Sequence, residues 1–87
     1  MAVPSVKPFE RHPSEVAPTD TYHADDPVWV YLDGTWRPGV VEFASELAAT
    51  VVFLRERPPG TGVDISTATY LVARTDPEPI LDELVYG

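Results

Sequence analysis

The fifteen residues Pro27–Val41, PVWVYLDGTWRPGVV, decide how this chain folds. Val28, Val30 and Leu32 alternate with Trp29, Tyr31 and Asp33, the period of a strand with two different faces. Asp33-Gly34 then supplies a tight turn, and Trp36-Arg37-Pro38-Gly39-Val40-Val41 carries the chain back. An alternating run broken by Asp-Gly is a strong short-range signal for a β-hairpin. The first strand is predicted over residues 27–32 and the second over residues 36–43. Proline removes a ladder donor, so Pro38-Gly39 marks either an edge position or a bulge.

Downstream, the segment FASELAA (residues 43–49) reads as a helical turn or as a loop. Thr50–Leu54, TVVFL, is rich in β-branched residues and reads as the third strand. Residues 55–62, RERPPGTG, read as a loop, and Val63–Ser66 as a fourth strand. A single 3₁₀ turn is expected around Thr67–Leu71, followed by a short fifth strand at Val72–Arg74. Asp76-Pro77-Glu78 carries a helix-start signature. A short amphipathic C-terminal helix is therefore predicted, docking through Ile80, Leu81, Leu84 and Val85.

Upstream, residues 1–26 hold prolines at 4, 8, 13 and 18 among Ser, Thr and acids. No helical or strand period survives that spacing, so a disordered or extended arm with polyproline II character is expected. The chain thus divides into an arm (1–26), an all-β domain (27–75) and an acidic tail (76–87). With 87 residues and no cysteine, the fold must rest on an apolar core without disulfide or thiolate–metal support.

The net charge is −8, but five acids and four bases nearly balance within residues 27–75, leaving most of the negative charge at the ends. Such a balance repels phosphate backbones at long range. No apolar run approaches a membrane span, and residues 1–13 lack a secretory hydrophobic stretch. A cytoplasmic protein without membrane contact is expected. Arginine over lysine, five to one, suggests a GC-rich coding bias.

Five short strands with a 3₁₀ turn before the last is the order of an SH3-like barrel. Val28-Trp29-Val30-Tyr31, Asp33-Gly34 and Trp36-Arg37-Pro38-Gly39-Val40-Val41 resemble the opening of its Tudor and Agenet branch. Val63-Asp64-Ile65 through Tyr70-Leu71-Val72 resembles the close of the same barrels. The resemblance spans residues 27–75 and implies a five-stranded barrel that binds proteins and performs no catalysis. In that family aromatic residues cage methylated Lys or Arg through cation–π attraction. The matching positions are Tyr31, Trp36, Phe53 and Tyr70, with Asp33 as the anionic wall.

The residues themselves lead to a related expectation. Trp29 and Tyr31 share the parity opposite to the valines and face outward together, either as a protein-binding pair or beneath the arm or tail. A protein-binding adaptor is the leading reading, with a homodimer through the same pair as a further option. The alternative is a nucleic-acid-associated barrel, of the KOW type, contacting phosphates through Arg37, Arg55, Arg57 and Arg74. A third reading makes the acidic ends an inhibitor that mimics nucleic acid. His23 among Asp20, Asp25 and Asp26 lacks a defined ligand geometry, and Pro58-Pro59-Gly60-Thr61-Gly62 lacks the lysine of a phosphate loop. No enzyme activity, metal or cofactor is expected.

Overall fold

The computed structural model describes residues 3–56, 58–79 and 81. It is mostly β, with five strands, β1 (Pro27–Leu32), β2 (Thr35–Ala44), β3 (Ala49–Glu56), β4 (Pro59–Ser66) and β5 (Leu71–Ala73). All adjacent pairs are antiparallel and the order is β4-β3-β2-β1-β5. The expected barrel is not closed: β4 and β5 are the two edges of an open sheet. Among the described residues, no helix is long and apolar enough to cross a membrane.

The Asp33-Gly34 turn forms as its chemistry requires. Leu32 pairs with Thr35 across it, and both turn residues have positive φ, 51° and 80°. That combination defines a two-residue turn whose twist matches the strands it joins. Asp tolerates the left-handed region better than most residues, and glycine enters it freely.

β2 is divided between two ladders. Thr35–Val40 pairs with β1, whereas Gly39–Ala44 pairs with β3. Pro38 falls in the part bonded to β1 alone, so its missing donor deprives β3 of nothing. The edge reading of Pro38 therefore holds, and the bulge lies further on, between Val41 and Phe43. Gly39 sits at the handover. A Cβ there would lie 2.7 Å from Val51 Cγ1 and 2.9 Å from the Val52 carbonyl oxygen.

Register explains the core. Val28 faces Ala73, Val30 faces Leu71 and Val41 faces Val51, which places all of these on one side of the sheet. Val28, Val30, Val41, Ala49, Val51 and Leu71 form the buried cluster, with Tyr22, Leu32, Ala44 and Phe53 packed against it. At about 1.5–3 kcal/mol per fully buried Val or Leu, this cluster is the main source of stability.

The arm is extended, and it is fastened to the sheet. It contains three 3₁₀ turns, Pro8–Glu10, Pro13–Glu15 and Thr19–Thr21. Thr19 is buried and its hydroxyl donates to the Ser45 carbonyl at 2.6 Å. Asp25 N–H donates to Val41 O at 2.7 Å, and Val41 N–H returns the bond to Asp26 O at 2.9 Å. Residues 45–48 are accordingly a turn between β2 and β3, where Ser45 N–H donates to Ala48 O at 2.9 Å.

Burial also sets a pH dependence. Desolvation raises the pKa of the Tyr22 phenol above 10.0, aided by Asp26 and opposed by the Arg11 guanidinium. The folded state thus prefers the neutral phenol. Its contribution is complete below the unfolded pKa and declines as pH rises through 10.0 toward the raised folded value. Tyr22→Phe is expected to keep stability at pH 7 and to soften the alkaline loss. Denaturant midpoints for both chains between pH 8 and 11 check this, and parallel declines would contradict it.

The tail departs from expectation. Residues 76–78 are not helical, and the Asp76 carbonyl accepts from Arg74 Nη1 at 2.6 Å. That bond engages the backbone where the helix was expected to start. Pro79 and Leu81 have helical backbone, and no longer C-terminal helix is evident among the described residues. Leu81 is buried, whereas Ile80, Leu84 and Val85 lie outside the described residues.

Candidate functional site: a tyrosine groove beside the 3₁₀ turn

Trp29 and Tyr31 lie on the face opposite the core, as alternation predicted, and register puts Trp36 on the same face. Trp29 stands across from Pro38 and Val72, and Tyr31 across from Trp36. Exposure separates them. Trp29 and Trp36 are each only 8% exposed, Tyr31 is half-buried, and Tyr70 is 44% exposed. The outward Trp29–Tyr31 pair is therefore not an open surface. Tyr31 and Trp36 instead make an edge-to-face contact, with centroids 5.1 Å apart and planes at 68°. Such contacts add about 0.5–1.5 kcal/mol beyond burial.

The four-aromatic cage does not assemble. Phe53 pairs with Gly39 and Gly62 on the core side, where it packs against the buried cluster. A Cβ at Gly62 would lie 2.8 Å from the Phe53 ring, so this glycine makes room for it. Asp33 is exposed in the hairpin turn and does not border the groove described below.

What does assemble is an open groove of about 290 Å³ lined by Tyr31, Tyr70, Asp64, Ile65, Ser66 and Thr67. β1 supplies the first tyrosine, the end of β4 the carboxylate, and the turn Ala68–Tyr70 the second tyrosine. The Ser66 hydroxyl donates to Asp64 Oδ2 at 2.8 Å, which orients the carboxylate. Two phenol rings beside a fixed carboxylate can accept a cationic side chain, the rings by cation–π attraction and the acid by charge. Asp64, and not Asp33, is the carboxylate that lines the groove with these rings.

The 3₁₀ turn is held from the arm. Arg11 Nη1 donates to Thr69 O and Leu71 O, each at 2.8 Å, and to Ala68 O at 3.3 Å, while Nη2 donates to Glu15 O at 3.2 Å. No local signal marks Arg11 for this role, because its partners lie 57 to 60 residues away. The role of Asp64 had a faint signal in the alternation Val63-Asp64-Ile65, which sets it apart from its apolar neighbours.

The arginines do not form the expected phosphate-binding set. Arg74 is 3% exposed, and its guanidinium donates to Val28 O at 3.3 Å, Gly39 O at 3.2 Å and Asp76 O. It serves the interior. Arg55 is exposed, Arg37 is half-buried, and Arg57 lies outside the described residues. Sequence reasoning also missed an apolar strip near the β4 edge. Phe43, Val63 and Ile65 are well exposed, and register joins Phe43 to Ile65 through Thr50. Among the described residues, no group of three or more His, Cys, Asp or Glu is placed to hold a metal ion.

Comparison of the chain with protein-family models, curated proteins and solved structures gave no match.

Proposed function

We propose that the chain is a non-enzymatic protein-interaction module on an SH3-like barrel scaffold of the Tudor and Agenet kind. Its partner docks a cationic side chain in the Tyr31–Tyr70 groove. Support for the scaffold comes from the strand order and from the 3₁₀ turn that leads into β5. A further argument is the cover of the core. The core face is covered, with Trp29, Trp36 and Val40 buried on the other face as well. Apart from helical Pro79 and Leu81, the described helices are 3₁₀ turns of three residues. A sheet in that position buries its face by curling over it.

The observation that carries the binding reading is the exposure of Tyr70 beside Asp64 in an open groove. An aromatic that stabilises only the fold is normally covered. Exposed tyrosines that border a groove are typical anchors of interfaces. The reading places the module in a cytoplasmic adaptor or regulatory subunit whose partner presents lysine or arginine, methylated or not.

An array of lysine- and arginine-containing peptides, unmodified and methylated, tests the proposal. Binding sequences are expected, and Tyr70→Ala or Asp64→Asn should weaken them at least about tenfold, the lower range for an interface anchor. Tyr70→Ala should change the melting temperature little, because Tyr70 is exposed. Peptides that bind both variants as well as the parent chain would remove this groove from the function.

A further inference from the structure

The two edges of the sheet are unequal. β5 is three residues long, Leu71–Ala73, and its shortness protects it. β4 is eight residues long and pairs with β3 at every position from Pro59 to Ser66 without a register shift. Its open side therefore presents a regular row of backbone N–H and C=O groups with no neighbouring strand. The devices that usually blunt such an edge are few. β4, PGTGVDIS, has no lysine and no bulge, and its proline is the first residue. Val63 and Ile65 stand 62% and 71% exposed along it.

Register gives this edge a charge at each end. Arg55 pairs with Gly60, Phe53 with Gly62 and Val51 with Asp64, so all six share one face. Gly60 and Gly62 have no side chains, and Arg55 lies across them. A Cβ at Gly62 would be 3.3 Å from Arg55 Cδ, and one at Gly60 would be 3.6 Å from Arg55 Nη2. The exposed guanidinium is thus carried to the first half of the open edge, while Asp64 holds the second half. A strand with a cation at one end and an anion at the other is complementary to its own reverse.

Two copies related by a two-fold axis pair their edges antiparallel, each residue facing one of the same parity. Pairing centred on Asp64 sets carboxylate against carboxylate and is repelled. Pairing centred on Gly62 brings Pro59, which has no N–H, into the ladder opposite Ile65. Pairing centred on Val63 leaves Pro59 outside and sets Thr61–Ile65 against the same residues of the second copy. Val63 then meets Val63, Ile65 meets Thr61, and Asp64 meets Gly62 beside the Arg55 that crosses it.

We propose that β4 is a self-association edge, at which two copies of this chain pair antiparallel about an axis at Val63 and join their sheets. Two Arg55–Asp64 contacts, one on each side of the axis, fix the register. The dimer closes, because each copy has one long edge and the pairing covers it. It uses neither Trp29 nor Tyr31. About five residues a side is well short of the roughly 20–30 of a standard interface, so the dimer is transient and forms at high concentration.

Sedimentation velocity of the full chain from about 10 μM to about 1 mM covers the span in which so small an interface is populated. The weight-average mass is expected to rise from 9.6 kDa toward twice that value. Arg55→Asp should weaken the dimer at least about tenfold by setting acid against acid, and Asp64→Arg likewise by setting base against base. An equimolar mixture of these two variants should dimerise, because each charge then faces its opposite. The chain has no cysteine, so single cysteines report the register. Val63→Cys meets its own copy within disulfide reach, whereas the two Ile65→Cys positions stand about 13 Å apart. Mild oxidation should cross-link the first and not the second. Arg55 and Val63 do not line the Tyr31–Tyr70 groove. Tyr70→Ala should therefore leave the dimer intact, so this proposal and the cation-binding reading fail separately. A monomeric mass at the highest concentration, a dimer that Arg55→Asp does not weaken, or equal cross-linking at positions 63 and 65 overturns the proposal. Should Asp64→Arg lose its native spectrum, Val63→Lys at the exposed axis position replaces it, and a dimer of undiminished strength in that variant is equally fatal.

Discussion

Gly39→Ala is expected to lower the melting temperature by roughly 10–20 °C, from an overpacking cost of about 2–3 kcal/mol. The added methyl would meet Val51 Cγ1 at 2.7 Å and the Val52 carbonyl oxygen at 2.9 Å. Neither neighbour yields easily. Val51 is fully buried, and Val52 is held in the ladders on both sides of β3. Gly34→Ala provides the contrast. Nothing lies within 4 Å of that position, but its φ is +80°, so the penalty is conformational and nearer 1–2 kcal/mol. Thermal melts of the two variants compare them directly. If Gly34→Ala is the more damaging, the close approach at Gly39 is not what that glycine is for.

The second large effect is expected at Arg74. Arg74→Met should cost about 3 kcal/mol or more, read as a fall in denaturant midpoint with little change in slope. The guanidinium spreads its donors over carbonyls of β1, β2 and the segment after β5. Methionine fills much of the volume but leaves buried carbonyls without those donors. Lysine should rescue little, since a compact ammonium cannot span the same carbonyls. A methionine variant as stable as the parent would show that the buried charge contributes nothing net, as some buried ionic groups do not.

The hairpin, the 3₁₀ turn and the short last strand were all legible, because each rests on residues close in sequence. Asp33-Gly34 is read from the turn it must make, and the alternation before it assigns each residue a face. Alternation does not say whether a face is covered. Trp29 was placed on the correct side, yet it is buried there, as is Trp36, and the Val6 carbonyl that meets Trp36 comes from 30 residues upstream. Arg74 was grouped with surface arginines because its acceptors are backbone carbonyls, which leave no mark in the sequence. Pro38 announced a discontinuity, and the bulge fell at Glu42 because the divided pairing of β2 had already accommodated the proline. The candidate groove was half legible. Tyr31 was named from its parity and, with Tyr70, from resemblance, whereas Asp64 carried only the faint signal of its apolar neighbours.

The division of β2 bears on how the domain comes apart. Its first half belongs with β1 and its second half with β3, so two hairpins meet over a short shared stretch at Gly39-Val40. Local opening follows such units and need not involve the whole molecule. Amide protons in β3–β4 should exchange as one group and those in β1–β5 as another. The seam itself is crossed by Arg74 and the strap of residues 25–26, contacts from the two ends of the chain. The halves also share one core, Val28, Val30 and Leu71 packing with Val41, Ala49 and Val51. These terminal contacts therefore reinforce a cooperativity that the core already supplies. A cut in either is expected to narrow the gap between local and global opening without splitting the transition.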